Sequence, residues 1–203
     1  MGGDNATKKN IDGLAIFLKK NTSKNDFEFH LYGDEDKINK ELSVSKISLE
    51  KIKVFHSTGV VSDEETPLKA IKNSKNTSMW GSINAQLDGA ADISLSAGNT
   101  GVLLVISRMI LKMMRDVDKP ALAGLWPSKK GMSVVLDLGA NIECSEKNLV
   151  DFAEMGSALF KSIFPDQKPN LSLLNIGSEE IKGTEILKKT HSKLKMLSKE
   201  DNF

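Results

Sequence analysis

Apolar positions along the chain switch repeatedly between helical spacing and alternation. Ile11, Leu14, Ala15 and Leu18 recur at helical spacing behind Asn5, a residue type that caps helices. Phe27-Glu28-Phe29-His30-Leu31 alternates at period two and predicts a strand. Gly33-Asp34 ends that strand and predicts a cap for a short helix over Lys37 to Leu42, and Ile52 to Phe55 predicts a second short strand. A polar stretch from Ser62 to Thr77 follows, with Pro67 marking a helix start, then a predicted helix over Ser78 to Leu87. Asp92 to Ser96 predicts a strand leading into a glycine-rich turn. A strongly apolar helix then runs from Thr100 to Met114, with Met109, Met113 and Met114 read as core packing. Ala121 to Trp126 and Ser133 to Leu138 read as strands; the link between them is shorter than the roughly dozen residues a parallel crossover needs, so they should pair antiparallel. Glu146 to Phe164 predicts a helix, and Ile181 to Leu197 the last one. Between them, Leu171 to Ile176 is a near-continuous apolar run that suits a strand buried on both faces.

Strands alternating with helices predict an α/β fold, layered α/β/α around a mostly parallel sheet that the hairpin makes mixed. Composition narrows the picture. The chain has 203 residues, 39 % hydrophobic and 27 % charged, a globular balance that fits one domain or one and part of another. A formal net charge of +1 provides no overall field toward nucleic acid or membrane. Cys144 is the single cysteine, so no intrachain disulfide and no cysteine-based metal set is available, and a reducing compartment is the simplest setting. Met1 to Lys9 lacks the apolar run of a secretory signal, and no stretch reaches the ~20 apolar residues of a membrane span, so a cytoplasmic protein is expected. Met1-Gly2-Gly3-Asp4 reads as the turn after a first strand and Asp201-Asn202-Phe203 as the start of a further one, so a chain incomplete at both ends is expected.

Three predicted strands end in glycine with asparagine: at Ser96-Ala97-Gly98-Asn99-Thr100-Gly101, at Asp137-Leu138-Gly139-Ala140-Asn141 and at Asn175-Ile176-Gly177. Ligands of open α/β sheets sit outside the carboxyl ends of the strands, where these turns would lie. Gly98 and Gly101 permit close backbone approach, and the helix after them offers unpaired N–H groups and a positive dipole end, which suits phosphate. Ser96, Asn99 and Thr100 add neutral donors. The same turn also reads as a plain tight turn with a helix cap. It is neither a P-loop nor a dinucleotide fingerprint, since no Gly-Lys-Ser/Thr or Gly-x-Gly-x-x-Gly is present. Asp137 and Asn141 read equally as a strand-end turn with a cap, and Lys182 as a solvated lysine or a ligand group. Lys129-Lys130-Gly131 reads as an exposed hairpin turn, and Lys69, Lys72 and Lys75 as one solvated helical face. Cys144 reads as a packed thiol rather than a nucleophile, with no histidine near it in sequence.

Taken in order, Met1-Gly2-Gly3-Asp4, Tyr32-Gly33-Asp34-Glu35, Asp63-Glu64-Glu65, Thr77-Ser78-Met79, the Ser96–Gly101 and Asp137–Asn141 turns, Met155-Gly156, Leu173-Leu174-Asn175-Ile176-Gly177 and Glu180-Ile181-Lys182-Gly183 resemble successive motifs of the acyl-ACP:phosphate acyltransferase family. The resemblance covers nearly the whole chain. It implies a fold similar to phosphate acetyltransferases and isopropylmalate dehydrogenases, and one α/β domain over residues 1–203 that lacks the family's first strand and its last third. It further implies a homodimer that moves a long-chain acyl group from acyl carrier protein to inorganic phosphate for phospholipid synthesis. No cofactor, metal or nucleic acid is implied, and full-length family members can touch the membrane surface peripherally. Trp80 and Glu143 depart from the family's usual residues, and Asn73 and Ser74 interrupt its basic run near Lys72.

For that reaction, phosphate would sit at Ser96, Gly98, Asn99, Thr100 and Gly101. Asn141, Asn175 and Lys182 would orient phosphate or stabilise the oxyanion, and Asp4 or Asp137 would manage protons or fix loops. Two alternatives accompany this expectation: a phosphate acetyltransferase-like enzyme that uses acyl-CoA, and an inactive fragment with a structural or partner role.

Overall fold

A computed structural model describes residues 1–21, 27–129, 131–179 and 181–198. Lys130, Glu180 and Asp201-Asn202-Phe203 lie outside the described residues. The chain forms two compact units, Met1–Lys112 and Met113–Phe203.

In the first unit, helix α1 (Ala6–Lys20) buries Ile11 and Leu14, two of the residues at helical spacing. Asn5 precedes it in the left-handed region at φ 53° and makes no side-chain cap bond, so it starts the helix through its backbone alone. Strand β1 (Phe29–Gly33) leads to α2 (Glu35–Ser45), where Asp34 caps as expected: its carboxylate accepts from the Lys37 N–H at 3.1 Å. Strand β2 (Ile52–His56) pairs parallel with β1, in a register running from Phe29 opposite Ile52 to Gly33 opposite His56. Ile11, Ile38 and Leu42 close a core over one face of this pair, joined by Leu31, Ile52 and Val54. Helices α3 (Pro67–Asn73), α4 (Ser78–Leu87) and α5 (Thr100–Leu111) enclose a second core of Val61, Ala70, Met79, Ile83, Val102, Ile106 and Ile110. Pro67 takes the first turn of α3, and Lys69, Lys72 and Lys75 are exposed.

Helix α5 is shorter than its apolar run. Lys112 adopts φ 63° and ends it, so Met113 and Met114 fall outside the helix, and Met109 and Met114 are exposed rather than packed. The core face is carried instead by Val102, Ile106 and Ile110. Asp92 to Ser96 forms no strand: Ile93 and Leu95 are exposed, and the segment is tied by the Ser94 hydroxyl donating to the Ser82 carbonyl at 2.7 Å.

In the second unit, β3 (Gly124–Ser128) and β4 (Gly131–Val135) form the expected antiparallel pair, each lying closer to the turn than its apolar run predicts. Helix α6 (Glu146–Ile163) opens with a reciprocal cap between Ser145 and Asn148 and packs on α7 (Glu185–Leu197) through Val150, Ala153 and Leu194. Helix α7 begins after Ile181 and Lys182 because Gly183 adopts φ 90° and the Thr184 hydroxyl accepts from the Leu187 N–H. Leu171 to Ile176 is not a strand. Leu173 packs against the α6–α7 core, but Leu174 and Ile176 are 90 % and 86 % exposed. An extended apolar run becomes a strand only through a hydrogen-bonded neighbour, and among the described residues none runs beside it. Among the described residues the strands therefore pair as β1–β2 in the first unit and β3–β4 in the second, within an α/β architecture.

Candidate functional site

The first unit brings three of the motif segments together. Gly3 sits at φ 93°, and a Cβ built on it would lie 2.5 Å from the Ala97 carbonyl oxygen, so the Met1–Asp4 turn lies against the Ser96–Gly101 turn at a distance only glycine allows. Gly2 faces the Val61 carbonyl and Gly98. The loop after Val61 closes the third side, since Asn99 donates its side-chain amide to the carbonyls of Ser62, Asp63 and Glu65 at 3.3, 3.1 and 2.9 Å.

Asn99 also caps α5: its carbonyl oxygen accepts from the Val102 N–H at 3.0 Å, and its backbone carbonyl accepts from the Leu103 N–H at 2.9 Å. The Ser96 hydroxyl accepts from the Gly98 N–H at 3.3 Å. Among the described residues no group accepts from the N–H of Thr100 or Gly101, and both residues are exposed. A helix start with unpaired N–H groups on exposed residues, and with the positive dipole end, is suited to an oxyanion. Asp4 lies on the neighbouring turn and is exposed. An open cavity of about 390 Å³ elsewhere in this unit is lined by Tyr32, Phe55, Trp80, Asn84 and Asp88, and none of the turn residues lines it.

The second unit holds the other predicted residues in two separate turns. Asp137 accepts four hydrogen bonds: from the N–H groups of Leu122 (2.8 Å), Ala140 (3.2 Å) and Asn141 (2.7 Å), and from the Asn141 side chain (3.0 Å). Burial alone would push this carboxyl up, but the donors outweigh it and hold it below the usual carboxylate range. The Asn141 amide also donates to the Pro120 carbonyl at 2.8 Å. Asn175 folds onto its own loop, accepting from the Ile176 N–H at 2.9 Å and donating to the Lys182 carbonyl at 3.3 Å. Lys182 is exposed, and its ammonium has no acidic partner among the described residues. Among the described residues no hydrogen bond joins the Asp137 turn to the Asn175 loop. Cys144 is half-buried.

Two sets of hydrogen bonds go beyond what the sequence reading named. The Asn99 bonds to Ser62, Asp63 and Glu65 span 34 to 37 residues, and those from Leu122 and Asn141 to Asp137 and Pro120 span 4 to 21. The matching Asp63-Glu64-Glu65 motif was the one available signal for the first.

A family model described as "Fatty acid synthesis protein" matches residues 1–203. A curated relative from Pelagibacter ubique, named phosphate acyltransferase, is 50 % identical over 201 residues, covering 99 % of this chain and 59 % of its own length. The chain belongs to the phosphate acyltransferase family. Relatives with that same name from Clostridioides difficile and Parvibaculum lavamentivorans are 35 % and 42 % identical, over 97 % and 93 % of this chain and 57 % and 52 % of their own lengths. The chain thus spans little more than half the length of these family members. Among the described residues no helix is long and apolar enough to cross a membrane, and no group of three His, Cys, Asp or Glu side chains is placed to hold a metal ion.

Proposed function

We propose that this chain carries the phosphate-binding part of an enzyme that transfers a long-chain acyl group from acyl carrier protein to inorganic phosphate. The supporting observation is the start of α5, where, among the described residues, no group accepts from the N–H of the exposed Thr100 and Gly101, in a chain of the phosphate acyltransferase family. Phosphate sits on these two N–H groups, with the Thr100 hydroxyl and the Ser96–Gly98 turn beside it. A phosphate oxygen attacks the thioester carbonyl carbon, a C–O bond forms, the C–S bond breaks, and the carrier thiol leaves with a proton. No acyl-enzyme intermediate is needed, so Cys144 has no part in the step. Lys182 keeps an exposed ammonium on the second unit, and no role at the α5 turn is assigned to it. Asp137 and Asn175 hydrogen-bond within their own loops, Asn141 ties its turn to the Pro120 carbonyl, and all three act by fixing those turns. Asp4 remains the acid closest in sequence to the glycine turn that meets Ala97, and proton transfer is assigned to it. The same reading includes a layered α/β/α fold, a homodimer, a cytoplasmic setting and peripheral membrane contact of the full-length protein.

The test incubates the purified chain with palmitoyl-acyl carrier protein and phosphate, and traps acyl phosphate with hydroxylamine. Phosphate-dependent product from the carrier thioester is expected. Product only from palmitoyl-CoA would replace the donor. Absence of product, with a full-length relative active alongside, would reduce the chain to a fragment without activity of its own.

A further inference from the structure

Asn99 carries the most heavily used side chain of the α5 turn. A carboxamide has two N–H donors and one carbonyl oxygen. Here the two donors are shared among three backbone carbonyls, Ser62, Asp63 and Glu65, and the oxygen takes the Val102 N–H. No N–H of the side chain is left for a ligand. The Ser62–Glu65 segment is itself a turn, closed by the Glu65 N–H donating to the Ser62 carbonyl at 3.2 Å, and it runs directly into Thr66 and Pro67 at the start of α3. Pro67 in turn lies 3.6 Å from where a Cβ on Gly101 would be. One side chain therefore ties the wall of the turn to the helix end whose N–H groups stay open.

We propose that Asn99 is a positioning residue: it fixes the Ser62–Glu65 turn beside the open N–H groups of Thr100 and Gly101 and supplies no donor to the ligand itself. The phosphate consequence rests on the function proposed above; the clamp does not. Its chemistry is separable by substitution. Serine and aspartate are both good helix caps, so Asn99→Ser and Asn99→Asp keep an acceptor for Val102 while removing the amide donors. Aspartate additionally sets a carboxylate against three carbonyl oxygens.

The first measurement is amide hydrogen exchange of the ligand-free chain and both variants. Exchange at Glu65 should speed by about tenfold, as expected for losing roughly one to two hydrogen bonds, while Leu103 to Ile106 in α5 keep their protection. Unchanged exchange at Glu65 would overturn the clamp. The second measurement is inorganic phosphate titration. Asn99→Ser should raise the phosphate Kd by about three- to tenfold through the released wall, with the Thr100 and Gly101 amides still responding. A phosphate response abolished while Glu65 exchange stays native would make Asn99 a direct ligand and overturn the proposal. A lowered Tm with an unchanged Kd would leave Asn99 merely structural and overturn its positioning role. Absence of any phosphate response in the unaltered chain would sink the proposed function, and the exchange measurement would then decide the clamp alone.

Discussion

The turns at Ser96–Gly101 and Asp137–Asn141 share a vocabulary of glycine and asparagine, yet their backbone N–H groups meet different fates. At the second turn the Asp137 carboxylate takes the N–H groups of Leu122, Ala140 and Asn141, so an anion is built into the chain. At the first, Asn99 uses its neutral carboxamide on Val102 and on three carbonyls, and the N–H groups of Thr100 and Gly101 stay open. A carboxylate gathers several backbone donors; a carboxamide turned toward carbonyls accepts only one. The two turns thus differ in whether a side chain of the chain itself accepts their backbone N–H groups.

Substitutions break this contrast in order of size. Gly3→Ala places a Cβ 2.5 Å from the Ala97 carbonyl at a φ of 93°, and should destabilise the first unit by about 3 kcal/mol, read by urea unfolding. Asp137→Asn removes the built-in anion and should cost about 1–2 kcal/mol, with faster exchange at Ala140 and Asn141 and none at Thr100. Native exchange at Ala140 in that variant would dissolve the comparison. Gly101→Ala is the sharper probe. Its Cβ would meet the Asn99 side-chain oxygen and Pro67 at 3.6 Å, an ordinary contact, so the fold should keep or gain up to about 1 kcal/mol. The methyl tilts toward the helix N-terminus, where the proposed function puts the phosphate, and phosphate affinity should fall about tenfold.

Acid gives the smallest effect. The folded Asp137 carboxyl is held below its ordinary value, so its contribution is complete above the usual aspartate range and is lost as pH falls through the lowered value. After correction for intrinsic exchange, Ala140 and Asn141 should lose protection below about pH 4, while Leu103 in α5 does not.

Much of this fold was legible along the chain. The Asp34 cap, strands β1 and β2, α4 and the β3–β4 hairpin follow from period, capping residue and link length, all local signals. Strands at Asp92–Ser96 and Leu171–Ile176 were misread because pairing partners, not local composition, make a strand. The site was half legible. Gly98, Asn99, Thr100 and Gly101 mark a helix start after a turn. Nothing local tells that Asn99 reaches Glu65, 34 residues away, or that Asp137 also takes the Leu122 N–H, 15 residues away.

The most direct measurement is a titration of the isotope-labelled chain with inorganic phosphate, following backbone amide shifts at both turns. The account predicts saturable shifts at Thr100 and Gly101 and none at Ala140 and Asn141. Shifts confined to Ala140 and Asn141, or no saturable shift at Thr100 and Gly101, would contradict it.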